Sequence, residues 1–184
     1  AHYAESDIIL PENGKAYTFT AVWGTTELYF YNNNGTLAVA ARGEEALPES
    51  AKFICEYDET ADYKFQFKTA DGAYYLAYPQ PEKSWLDNEC PNGLTTESSR
   101  VTKFNINPIV PGVKVEATEE ELVGLVTLDG YRGYHNSEFH DMVGPIVVKH
   151  SELIFDAADT PFYNSNFTSA IRIEETEIVV PEPE

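Results

Sequence analysis

One stretch of this chain combines the side chains that recognise a hydroxyl-rich ligand. Between Tyr78 and Asn92 lie Trp85 and Asp87, set among Pro79, Pro81 and Pro91. An aromatic face stacks on the apolar C–H patch of a pyranose, and carboxylates or amides bond its hydroxyls. Tyr78, Trp85 and Asp87 are therefore the candidate ligand-binding residues, and the chemistry they suit is glycan recognition. The competing reading is architectural: a Trp flanked by prolines covers the open end of a β-barrel.

A second polar cluster runs His135-Asn136-Ser137-Glu138-Phe139-His140-Asp141, with His150 further on. Imidazole and carboxylate ligands suit zinc, but this spacing fits no four-donor zinc motif. These histidines are read as loop residues bonded locally, and neither a metal nor another cofactor is expected. The chain has no Gly-x-Ser-x-Gly elbow, His-Glu-x-x-His pair, phosphate-binding glycine loop or EF-hand ladder, so it is not expected to be an enzyme. Its 31 acidic residues offer many carboxylate pairs. Spacing along the chain does not give the separation that glycoside hydrolysis needs.

The elements that would hold these residues must come from one compact unit, since 184 residues suit one domain or two small ones. With 42% hydrophobic and 13% aromatic residues the chain can fill a core without a metal or disulfide staple. A formal charge of -19 repels phosphate backbones and anionic lipid, so no nucleic-acid partner is expected. No apolar run is long enough to span a bilayer, and membrane insertion is not expected either. The N-terminus lacks the pattern of a signal peptide, and any such peptide is expected to have been removed. Cys55 and Cys90 are too few for a disulfide framework and too far apart for a redox pair.

Strand signals dominate. Tyr17–Thr20, Leu28–Tyr31, Tyr63–Phe67 and Thr102–Ile106 are short runs of β-branched, aromatic or alternating residues. Turn clusters separate them, among them Asn32-Asn33-Asn34-Gly35, Ala70-Asp71-Gly72 and Leu128-Asp129-Gly130. The only helical signal is Thr118–Val123, where Thr118 would cap a single turn with Glu121 at the capping-box position. Residues 1–10 read as a linker or edge segment, 11–178 as the domain and 179–184 as a frayed acidic tail.

Internal repetition decides the architecture. A turn ending in glycine, at Gly35, Gly72 and Gly130, is followed after an unequal loop by a strand with two alternate apolar positions. The closing strands are Lys52–Cys55, Lys103–Ile106 and Ala170–Ile173, so Phe53/Cys55, Phe104/Ile106 and Ile171/Ile173 take equivalent inward places. Three such units in an all-β chain predict a β-trefoil. In this alignment Cys55 is a small buried hydrophobe rather than half of a disulfide.

Phe65–Ala77, Ser50–Phe53, Phe155–Ala157 and Phe162–Glu174 resemble the β-trefoil signature of fascin-like and ricin-B-like modules. The C-terminal stretches resemble the ends of trefoil modules appended to secreted gut-bacterial glycoside hydrolases. The resemblance implies a non-catalytic accessory domain, secreted, periplasmic or at the cell surface, monomeric, that holds a glycan or packs against a neighbouring catalytic domain. The Gln-x-Trp motif of ricin-type sugar sites is absent, so none of that family's binding residues carries across. The alternative is a protein-interaction module, either a structural packing domain or one like a Kunitz-type protease inhibitor. Those inhibitors share the fold, the acidity and nearly this length, but usually carry two disulfides.

Overall fold

A computed structural model describes residues 8–80, 90–131 and 143–179 of the chain. Among the described residues thirteen strands form an all-antiparallel architecture, and the only helices are 3-10 turns at Glu49–Ala51, Ser98–Arg100 and Glu120–Leu122. Beside the last of these the Thr118 hydroxyl accepts the Glu121 N–H at 3.3 Å, but the turn starts later than its sequence predicts, with Glu119 at the capping position and no side-chain cap bond from it. Each expected strand run falls on an observed one, although Tyr63 and Lys64 precede theirs, as do Thr102 and Lys103.

Six strands close into a ring. They are β1 (Ala16–Trp23), β4 (Phe53–Tyr57), β5 (Phe65–Thr69), β8 (Phe104–Pro108), β9 (Val126–Tyr131) and β13 (Ile171–Thr176). Each pairs with the next in that order, and β13 returns to β1. Alternation along a strand sends every second side chain inward. Phe19, Phe53, Cys55, Phe67, Phe104, Leu128 and Ile171 fill the ring as one buried cluster. Phe19 is its hub, with the Phe67 ring edge-on at 4.9 Å and Phe53 at 5.3 Å. Such tilted aromatic contacts add to the stabilisation from burial. Phe53, Phe104 and Ile171, the leading inward residue of each closing strand, are all fully buried in this cluster, whereas Ile106 is only partly covered.

Three hairpins join the ring strands. The first, β2 (Thr26–Asn33) with β3 (Thr36–Ala41), is turned by Asn34 and Gly35, both at positive φ. That is the conformation for which a two-residue turn prefers Asn-Gly. The second joins the two-residue strands β6 (Tyr75–Leu76) and β7 (Leu94–Thr95), and the third joins β10 (Val143–Lys149) and β11 (Ile154–Ala157). A short strand, β12 (Phe167–Thr168), adds to β10.

Gly130 corrects an expectation. Leu128-Asp129-Gly130 is not a turn but the middle of β9, paired with β8 through Phe104↔Gly130. A Cβ at this position would lie 2.6 Å from the Phe104 ring and 2.7 Å from Thr102 Cγ2. Glycine is there because the ring needs its place, and not to reverse the chain. Gly35 and Gly72 do sit in turns, at φ +93° and +75°.

The described chain is fastened close to its end. The buried Lys52 ammonium donates to Glu49 Oε1 at 2.5 Å and to the Glu177 carbonyl at 2.6 Å. Beyond that clasp Val179 is exposed.

Candidate ligand-binding site

Tyr78 does not belong to a surface site. It is 1% exposed, within the main core cluster. Its hydroxyl donates to the Pro145 carbonyl at 2.5 Å, and its N–H donates to Thr102 Oγ1 at 2.7 Å. The residue stitches the second hairpin unit to β10, and its ring is covered. Trp85 and Asp87 lie outside the described residues, as do His135 and His140.

Asn92 and Gly93, just C-terminal to the segment that holds Trp85, are anchored on the first hairpin and on Ala77. Asn92 accepts the Leu37 N–H of β3 at 2.7 Å, and the Gly93 carbonyl accepts the Ala77 N–H at 2.9 Å. Gly93 has φ +70°, and a Cβ on it would stand 2.8 Å from Leu37 Cβ and 3.0 Å from Pro79 Cβ. Glycine thus lets the loop seat directly on the first hairpin.

This seating opens a depression of about 480 Å³ between the first two hairpins, lined by Asn34, Thr36, Tyr74, Asn92, Thr95, Thr96, Glu97 and Arg100. Asn34 reaches it from the tip of the β2–β3 turn, and Tyr74 from the residue before β6. The Tyr74 hydroxyl stands so close to the Gly35 backbone that a Cβ there would approach it to 2.9 Å. Glu97 receives Arg100 Nε at 2.7 Å, and its N–H donates to Thr95 Oγ1 at 3.0 Å. The paired charges leave the lining neutral, within a chain that is otherwise strongly anionic. Beside them the lining holds two carboxamides, three threonine hydroxyls and a phenol, with Cys90, Pro91 and Leu94 as its less polar members.

A smaller depression of about 270 Å³ holds Glu56, Tyr57, Asp58, Lys64, Gln66 and Lys103. Burial would raise Glu56, but hydrogen bonds from Gln66, Tyr75 and Lys68 outweigh it and keep the carboxyl below its usual range. Lys64 is bonded to the Glu59 and Ala61 carbonyls. Several of its polar groups thus already satisfy one another.

The cysteines are both free and buried. Burial is the main cause that pushes the Cys55 thiol up to about 12 and also raises Cys90, so neither is activated as a nucleophile. His150 stacks on Trp23 at 4.5 Å between centroids, and its Nε2–H donates to the Asn164 carbonyl at 2.8 Å. Among the described residues no group of three His, Cys, Asp or Glu is placed to hold a metal ion. No described helix is long and apolar enough to cross a membrane.

No protein-family model matches this chain, and no curated protein matches its sequence.

Proposed function

We propose that this chain is a β-trefoil accessory domain that binds a carbohydrate, without catalysing its conversion, in the depression between its first and second hairpins. A closed six-strand ring joined by three hairpins supports the trefoil reading, as does the placement of Phe53, Phe104 and Ile171 in one core. The observation that carries the function is the neutral lining of Asn34, Asn92, Thr36, Thr95 and Thr96 around Tyr74. Sugars exchange many hydroxyl bonds with water, so a site for them must offer many hydrogen-bonding partners and an aromatic surface. A lining with its only opposite charges paired does this.

The test is a glycan array probed with the whole chain, repeated with Asn92→Ala, Thr96→Ala and Trp85→Ala. Binding to a defined glycan that drops at least tenfold with Asn92→Ala supports the depression as the site. Binding lost only with Trp85→Ala moves the site onto the loop. No binding to any glycan removes the proposal and leaves the packing-domain alternative.

A further inference from the structure

The least expected surface lies away from the polar depression, where Val113 is 96% and Val110 58% exposed. These valines flank a cleft of about 330 Å³ with Pro108, Pro111 and Pro161, and Lys114 and Thr160 line both it and an adjoining one of about 290 Å³. The two clefts thus lie side by side across Lys114 and Thr160, as two halves of one grooved face. Its second half holds Asp156, Asp159, Phe162 and Phe167.

The backbone on both sides of Val113 is tied down by hydrogen bonds. Gly112 and Val115 exchange two backbone bonds at 3.2 Å, Tyr163 N–H donates to the Lys114 carbonyl at 2.9 Å, and Glu116 N–H donates to the Tyr163 carbonyl at 2.9 Å. The Tyr163 hydroxyl in turn accepts the Gly24 N–H at 2.7 Å. An apolar side chain held out in one position by this many bonds loses little entropy when something covers it.

We propose that the groove docks an extended segment of another protein, with an apolar side chain in the Val110–Val113 half and a basic side chain against Asp156 in the other. The first half is mostly Pro and Val, with Lys114 and Thr160 its only polar side chains, which suits a leucine or isoleucine better than a sugar. In the second half the Lys114 ammonium sits 5.0 Å over the Phe162 ring, while Asp156 uses one carboxylate oxygen on the Ala157 N–H at 2.8 Å. The excess there is negative, in a chain of charge -19 that draws in cationic partners and repels a second copy of itself. This inference does not depend on the glycan proposal.

Fluorescence anisotropy with the whole chain tests it. The probes are fluorescein-labelled, end-capped peptides in which leucine and arginine stand one, two or three alanines apart, in both orders. At least one spacing is expected to bind, to weaken at least tenfold with Val113→Asp, and to weaken several-fold with Asp156→Asn or with added salt. Val113 is solvent-exposed, so circular dichroism of that variant is expected to match the parent. If no peptide binds, if Val113→Asp changes nothing, or if glutamate replaces arginine without loss, the proposal is wrong. Concentration-dependent dimerisation abolished by Val113→Asp would also overturn it, in favour of a second copy.

Discussion

The first and second hairpins occupy the same place in their units and differ in build. β2 and β3 pair over six positions and turn in two residues, whereas β6 and β7 pair over two and are separated by residues 77–93. The first hairpin is held by its own ladder. The second is held by what it touches: Tyr78 against Pro145, Asn92 and Gly93 against Leu37, Thr102 against the Tyr78 backbone. A unit with few ladder bonds has surface to give to a depression, and its stability then depends on tertiary contacts that no local pattern specifies.

Both hairpins rest on the ring, so the largest effect is expected there. Phe104→Ala should cost roughly 3 to 5 kcal/mol, because it empties the space between Phe67 and Gly130. Urea denaturation measures it, and an unchanged midpoint would refute the ring as the common support. Next comes Gly93→Ala, which imposes a left-handed strain of about 1–2 kcal/mol and adds overlap with Leu37. Gly72→Ala, at similar φ but with nothing within 4 Å of its Cβ, should show the strain alone. Equal losses for the two glycines would mean that the loop foot is not seated as described.

Tyr78→Phe should cost about 1–3 kcal/mol, the penalty for leaving the buried Pro145 carbonyl without its donor. The thermal midpoint of the variant reports it. The smallest effect is at Asp129, whose pKa is raised by burial against the bonds from Asn107 and Thr127. The folded state then holds the proton more tightly than the unfolded chain. Stability should fall as pH rises from the ordinary Asp value through the raised one, and stay lower above it. Asp129→Asn should remove that slope and be neutral or stabilising at neutral pH; a loss of stability there would overturn the assignment.

The ring was legible because its strands carry the two-residue alternation that a half-buried sheet demands, as in Phe65-Gln66-Phe67 and Ile171-Arg172-Ile173. Gly130 was misread because Asp-Gly favours a turn locally, while the Phe104 ring, far away in sequence, requires the missing side chain. Tyr78 was misread for a related reason: Pro79 and Gln80 suggest a loop, yet Leu76, Ala77 and Tyr78 are all buried. The depression escaped because its lining comes from separated segments around 34–36, 74 and 90–100. Asn34 was recognisable only as a turn residue. The signal available was that an Asn-Gly hairpin tip presents its amide outward.

The pairing of β13 with β1 governs how the chain reaches this structure. These strands meet along six positions, from Ala16↔Thr176 to Ala21↔Ile171, so the ring cannot close until the whole stretch from residue 16 to residue 176 is in place. A loop that long must lose its entropy before the closing contacts form, which puts folding in the roughly millisecond-to-second regime of non-local β proteins. A chain emerging from the ribosome would hold β1 with one free edge until β13 follows it out, and a truncation before Ile171 would leave that edge open for good.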